Sequence, residues 1–479
     1  MNPEEFRAAG HAVIDFLADY HASLSQRPVM AQTRPGEVRA QLPGAAPTEP
    51  ESFARVLSDV EQVVLPGLSL WQHPRFFGYF PANADLGSVL GDMLSTGLGV
   101  LGLSWQSSPA LTEVEEVVTD WMRQLVGLPD TFHGVIQDTA STSTLVALLC
   151  ARERTTAYSA SRAGLQGEAR PLVVYTSVYS HSSVQKAAVL AGFGNDNVRA
   201  IPADEAFALR PDLLEAAILS DLEAGRVPCA VVVSTGTTTT TALDPVAAVA
   251  VLTERHGLWL HVDAAMAGTA MMLPECRWMW NGVERADSVV LNPHKWLGSV
   301  FDNSLYYVRD PQHLVRVMST NPSYLQSAAD GEVTNYRDWG IPLGRRFRAL
   351  KLWSMLRTSG IEAIQARLRR DLANAQWLAE QVRAAPDWQV LAPVPLQTVC
   401  VRYAPAGLTA EALDHLTQAW CARINDSGEA YLTPATLEGR WMVRVSIGAL
   451  TTERTHVEQL WEIMQRHAAE VAQSMAAGV

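Results

Sequence analysis

Only three of the 479 residues are lysines, Lys186, Lys295 and Lys351, among 37 basic side chains. Chemistry that needs a primary amine therefore has three candidates. Lys295 lies in SVVLNPHKWLG (288–298), where an apolar strand meets a proline that blocks its continuation. The lysine follows between His294 and Trp296. An amine held there is partly desolvated, which lowers its pKa and suits it to Schiff-base formation with a carbonyl. Alone, the pattern also describes a surface lysine in a turn. Lys186 falls within a predicted helix and is expected to face solvent. Lys351, in RALKLW, is expected on a helix surface with its stem on apolar neighbours.

Asp263 ends the apolar run LWLHVD and is followed by Ala264, Ala265, Ala267 and Gly268. A carboxylate at the end of a buried strand needs a cationic partner or hydrogen bonds. A protonated pyridine nitrogen would serve, and the small residues would let a flat ring approach. Capping of the next helix is the plain alternative. Two hydroxyl clusters could face a phosphate. In GVIQDTASTSTLVALL (134–149), Thr139, Ser141 and Ser143 open an apolar helix, whose N-terminus suits an anion. STGTTTTTALDP (234–245) follows a strand directly. An ordinary N-cap and a threonine-rich loop explain these clusters equally well. His181 stands just before a helix in YTSVYSHSSVQKAAV, where it could stack on a ring or move a proton, or be structural. Neither a P-loop nor a GxGxxG occurs, which argues against nucleotide binding.

The elements that would position these residues alternate from about Asp85 to Arg309. Four strands stand out, at 172–176, 229–234, 258–263 and 288–292, each nearly continuous in Val, Leu or Ile. Such strands belong to a parallel sheet covered on both faces by helices, for which 182–191 and 245–256 are examples. Ligands of open α/β sheets collect beyond the carboxyl ends of the strands, where Asp263, His181 and Lys295 fall. Residues 4–23 predict an amphipathic helix. The Pro-rich stretch 27–50 is expected to lack regular structure. Residues 318–340 predict a long mobile loop, followed by a helix near 344–357, further helices to about 384 and a smaller α+β unit.

The net charge of −13 disfavours nucleic acid and anionic membranes. No apolar run is long enough to span a bilayer. The acidic N-terminus does not read as a secretion signal. Five scattered cysteines suggest free thiols in a reducing, cytoplasmic setting, and none has metal-ligand spacing, so no metal is expected.

Taken in order, the segments EFRAAGHAVIDFLADY, HPRFFGYFPANA, GLSWQSSPALTEVE, GVIQDTASTSTLVALLCAR, HSSVQKA, WLHVDAAMAGTA, ADSVVLNPHKWLG, PSYL, YRDWGIPLGRRFRALKLW and VRVSIGALTTERTHVEQLW resemble the group II pyridoxal-phosphate (PLP)-dependent decarboxylases. The likeness is greatest to the aromatic-L-amino-acid decarboxylases and runs over nearly the whole chain. It implies the PLP fold type I, an α/β architecture with a mainly parallel central sheet and a smaller C-terminal α+β domain. It also implies a homodimer with its active site at the interface. The domains would be a helical arm over 1–84, packing on the partner, a PLP-binding domain over 85–357 and a small domain over 358–479.

By the same resemblance Lys295 would carry the cofactor, Asp263 would face its ring nitrogen, and His181 would stack on the ring. Thr139, Ala140, Ser141, Thr238, Asn292 and His294 would hold it, mainly around the phosphate. Tyr324 would reach in from the partner and return a proton to the substrate carbon, where related aldehyde synthases carry phenylalanine. Leu101 and Leu103 would border the substrate side chain, and Gly344 would leave room for an aromatic ring. Two departures bear on the substrate. Ala82, followed by Asn83, replaces a threonine near the substrate carboxylate, and Met266 replaces an aromatic residue. The expected reaction is decarboxylation of an aromatic L-amino acid to its amine. An aldehyde synthase, a decarboxylase of another amino acid and a non-catalytic scaffold are the alternatives.

Overall fold

The computed structural model describes residues 1–320, 323 and 329–477. The chain divides into two units, one of residues 1–81, 373–391 and 397–479, the other of residues 82–372 and 392–396.

The first unit opens with α1 (Pro3–Ser23), α2 (Glu37–Gln41) and α3 (Phe53–Asp59). A capping box starts α1: Asn2 accepts from the Glu4 and Glu5 amides at 3.0 and 2.9 Å, and Glu5 reaches back to the Asn2 amide at 2.8 Å. No residue of α1 is buried. The short α2 interrupts the stretch expected to be irregular, because the residues between Pro35 and Pro43 contain no further proline.

The second unit begins with α4 (Leu86–Leu98) and α5 (Pro109–Val126). There follow β1 (His133–Gln137), α6 (Ala140–Thr155), α7 (Ala160–Ala163), β2 (Leu172–Ser177), α8 (Ser183–Leu190), β3 (Val198–Ile201), α9 (Pro211–Glu223), β4 (Val227–Ser234), α10 (Val246–His256), β5 (Trp259–Asp263), β6 (Ser288–Leu291) and β7 (Ser304–Val308). The seven strands form one sheet in the order β1-β7-β6-β5-β4-β2-β3. The pairs from β6 to β3 are parallel, and β7 runs antiparallel between β6 and β1. Helices α6 and α10 both pack on β4 and β5. Burial of every residue of β2, β5, β6 and β7 explains their apolar content. The fold is therefore a mainly parallel α/β sheet with flanking helices.

All four strands expected from sequence form. The three others lacked an unbroken aliphatic run: β1 reads HGVIQ, β3 is a short edge strand with one buried residue, and β7 reads SLYYV.

Beyond β7 come α11 (Pro311–Met318), α12 (Arg348–Ser359) and α13 (Ile361–Ala384). The helix expected near 344 begins at Arg348, since Arg345 forms a bridge with Gly102 instead. The end of the expected loop is not core-free: Tyr336 and Trp339 join the hydrophobic cluster on the sheet, and Arg337 is buried. Lys351 corrects a second expectation. It is fully buried, because that side of α12 packs against α4 rather than water.

The C-terminal elements of the first unit are β8 (Trp388–Val390), β9 (Thr398–Tyr403), α14 (Ala410–Ser427), β10 (Thr433–Leu437), β11 (Arg440–Ser446) and α15 (Arg454–Ala477). They make a four-stranded antiparallel sheet, β10-β11-β9-β8, with α14 on β11 and β9. Trp388 meets Trp461 and Trp420 edge-on, at ring distances of 5.0 and 5.7 Å.

Candidate active site

The carboxyl ends of β4, β5 and β6 lie level, Ser234 opposite Asp263 and Asp263 opposite Val290. Three short connections hold them there: Thr235 N–H donates to Asp263 O (2.9 Å), Ala264 N–H to Val290 O (3.0 Å) and Asn292 N–H to Ala265 O (2.9 Å). Lys295 sits one turn past β6, with φ −95° and ψ −116°, outside helical geometry. Gly298, at φ +118°, closes this turn in the left-handed region that glycine tolerates. Trp296 is pinned on the far side, its Nε1–H on Asp371 Oδ2 at 2.9 Å and its carbonyl taking Arg367 at 2.8 Å.

Burial pushes the Lys295 ammonium below its ordinary pKa, and the Asp263 carboxylate pulls it partly back. Asp263 Oδ1 accepts the Ala265 amide at 3.0 Å. Among the described residues Oδ2 accepts no hydrogen bond, which leaves it for a cationic N–H. His181 lies exposed beyond β2, and partial desolvation of its ring by neighbouring atoms lowers its pKa, against the pull of Asp263 and with the push of Lys295. Its Nδ1 accepts the Ser183 amide (3.1 Å) and lies 2.8 Å from Ser183 Oγ. The neutral ring therefore carries its proton on Nε2. Lys295, Asp263 and His181 thus share one electrostatic neighbourhood at the strand ends.

The residues expected to hold an anion follow the ends of β1, β4 and β6. Thr139 is the N-cap of the 16-residue α6 and makes no side-chain cap bond, so the first-turn amides of Ala140 and Ser141 are open to a ligand. Ser143 Oγ donates to Thr139 O (3.2 Å) and lies 3.5 Å from Ser304 Oγ, which donates to Asn292 Oδ1 at 2.7 Å. That fixes Asn292 with its NH2 group as donor. His294 is buried, and burial, helped by the Lys295 charge, holds its pKa down at about 4. Its Nδ1 accepts the Asn303 amide at 2.9 Å, so it too presents Nε2–H. Thr238 lies half-buried in the turn after β4, which Thr237 braces through Ala242 N–H at 3.0 Å. An amine, a carboxylate with an open oxygen, and a cluster of amide, hydroxyl and imidazole donors match the aldehyde, ring nitrogen and phosphate of PLP.

The substrate-side residues divide. Ala82 precedes Asn83, whose buried side-chain amide donates to the Lys295 carbonyl at 3.2 Å. Leu101 and Gly344 are neighbours: a Cβ on Gly344 would lie 3.2 Å from Leu101 Cδ1. Gly102 N–H bonds Arg345 O (2.9 Å), and the Arg345 guanidinium is locked by buried Glu115 at 2.6 and 3.0 Å. Leu103 is half-buried in the same loop. Among the described residues of one chain, no hydrogen bond carries this patch to Lys295. Tyr324 lies outside the described residues. Ser183, Asn303 and Ser304 contribute positions that sequence reasoning did not assign. Only Ser183, two residues from His181, carried a local signal.

Fold and site together define a PLP-dependent enzyme of fold type I. Comparison with known proteins agrees. The model of the pyridoxal-dependent decarboxylase conserved domain matches residues 35–404. The chain is 40% identical to phenylacetaldehyde synthase of Arabidopsis thaliana, covering 98% of this chain and 96% of that protein. It is 37% identical to tryptophan decarboxylase 2 of Oryza sativa subsp. japonica, covering 99% and 97%. The crystal structure of Oryza sativa TDC with PLP and tryptamine superposes with a TM-score of 0.94 at 36% identity, over 98% of this chain and 99% of that one. The chain belongs to the pyridoxal-dependent decarboxylase family, and it is a PLP-dependent amino-acid decarboxylase.

Proposed function

We propose that this enzyme removes the α-carboxylate of an aromatic L-amino acid, giving the arylalkylamine and CO2. The reading rests on the Lys295–Asp263 pair, in a chain whose full-length relatives include a tryptophan decarboxylase and a tyrosine decarboxylase.

When bound, PLP supplies an electron sink for the pair left behind by departing CO2. The chain's own residues do the rest. Lys295 anchors the cofactor through an amine whose pKa burial has lowered. Asp263 holds a proton at the facing ring nitrogen. The donors at Thr139, Ala140, Ser141, Thr238, Asn292 and His294 bind the phosphate end and orient the ring. His181 would stack on the ring, with Nε2–H as a donor because Nδ1 accepts the Ser183 amide. Tyr324 returns a proton to the substrate carbon. Ala82, Leu101, Leu103 and Gly344 border the substrate, with Gly344 leaving space for a ring.

The active form is a homodimer with the site at the interface. Two features support this: α4 leaves Leu86, Leu90, Leu94 and Leu98 exposed at four-residue spacing, and α1 buries none of its residues. On this reading 1–84 is an arm for the partner, 85–357 carries the cofactor and 358–479 is the small domain. Five cysteines, all free and buried, support a cytoplasmic setting.

The test is to incubate the purified protein and PLP with L-DOPA, tryptophan, tyrosine and phenylalanine. Amine and CO2 are expected from at least one, and amine from none of them would remove the aromatic assignment. The similarity to phenylacetaldehyde synthase favours a second reading, oxidative conversion to an aldehyde, in which O2 takes up two electrons to give peroxide while CO2 and ammonia leave. Peroxide and aldehyde in place of amine would identify it, whereas tyrosine at position 324 supports simple decarboxylation.

A further inference from the structure

The proposed chemistry leaves one buried amine unused. Lys351, on α12, has no exposed surface. Its Nζ lies 3.2 Å from Asp92 Oδ1 and 3.9 Å from Asp302 Oδ1. Burying an ammonium is costly unless anions compensate it, and here two carboxylates from different segments do so. The burial has a steric origin: a Cβ on Gly91 of α4 would fall 2.7 Å from Lys351 Cα and 2.8 Å from Leu350 O. Glycine at 91 lets the two helices close over the lysine.

The two carboxylates lead to different parts of the site. Asp302 accepts from Arg348 Nε and Nη2, each at 3.0 Å, and precedes Asn303. The Asn303 amide donates into His294 Nδ1 at 2.9 Å, and the Asn303 side chain bonds Arg348 O at 3.3 Å. This arm ends at a cofactor-side histidine and fixes which of its nitrogens carries the proton. Asp92 lies on α4, which runs directly into the loop bearing Leu101. Arg346 bonds Asp92 at 3.2 Å, two residues beyond Gly344, which abuts Leu101. This second arm ends at the wall proposed to border the substrate side chain. Arg346 also approaches both carboxylates, but it is about half exposed, so solvent screens it.

We propose that Lys351 is a positioning residue that ties the cofactor-side loop bearing His294 to the substrate wall at Leu101 and Gly344. Both halves rest on site roles proposed above, the cofactor half on His294 and the substrate half on Leu101 and Gly344, but only the substrate half depends on which amino acid is turned over. The two arms predict separable effects. Asp302→Asn weakens PLP binding to the apoprotein about tenfold and leaves KM unchanged. Asp92→Asn raises KM about tenfold, with PLP affinity unchanged. Lys351→Met does both.

The experiment titrates PLP into each apoprotein, followed by the cofactor's absorbance, and measures KM and kcat for whichever amino acid is turned over. Thermal melts of each variant run alongside. The predicted split supports the proposal. Three variants that lower Tm but keep native PLP affinity and KM would overturn it, as would equal losses of affinity and KM in both aspartate variants. If Lys351→Met does not fold, the two aspartate variants alone decide the matter. If no aromatic amino acid is turned over, the PLP titration still tests the cofactor arm.

Discussion

Lys295 and Lys351 are both withdrawn from water, and burial lowers the pKa of both. Their surroundings differ. Lys295 lies past a strand end, partly accessible, with Asp263 and His181 in electrostatic reach. Lys351 lies between two packed helices with no accessible surface and with Asp92 at 3.2 Å. A depressed pKa therefore does not identify a nucleophile. The amine must also open onto a space where a carbonyl can reach it, and the end of a parallel sheet provides that opening. A lysine sealed between helices can act only through the groups it holds in place.

The most severe way to break this contrast is to remove the acid that distinguishes the Lys295 site. Asp263→Asn keeps the shape and loses the charge that would hold a proton on the ring nitrogen. Turnover should fall by about a hundred- to a thousandfold, the scale of losing one preorganised electrostatic group. Steady-state kinetics measures this, and a variant within threefold of the parent would show that Asp263 does not face the cofactor.

The contrast was only partly legible in the sequence. Strands β2, β4, β5 and β6 could be read because burial on both faces demands unbroken aliphatic runs. Asp263 could be read because it ends such a run, and Lys295 because it follows one just past a proline. Lys351 could not: helical periodicity placed it in α12, but no local pattern shows that Gly91, 260 residues earlier, presses against it. Asn303 and Ser304 escaped for a similar reason. Their partners, His294 and Asn292, are met through a turn and an antiparallel strand, β7, whose tyrosines and serine hid it. Local chemistry showed in the sequence, and the contacts that orient it did not.

A smaller effect sharpens the same comparison through pH. For a lysine whose folded pKa is lowered, the neutral amine is populated at lower pH than in an ordinary lysine near 10.5. The rate of covalent PLP capture by the apoprotein should therefore rise with pH and level off below that value. A stopped-flow series across pH would follow it. A rate still climbing about tenfold per pH unit up to 10.5 would mean that burial does not activate Lys295.

The most direct test of the account is to trap the covalent link itself. Holoprotein treated with borohydride, digested and mapped by mass spectrometry should carry a reduced pyridoxyl group on Lys295, with Lys186 and Lys351 unmodified. A label on either of those lysines, or no label at all in protein that turns over substrate, would contradict it.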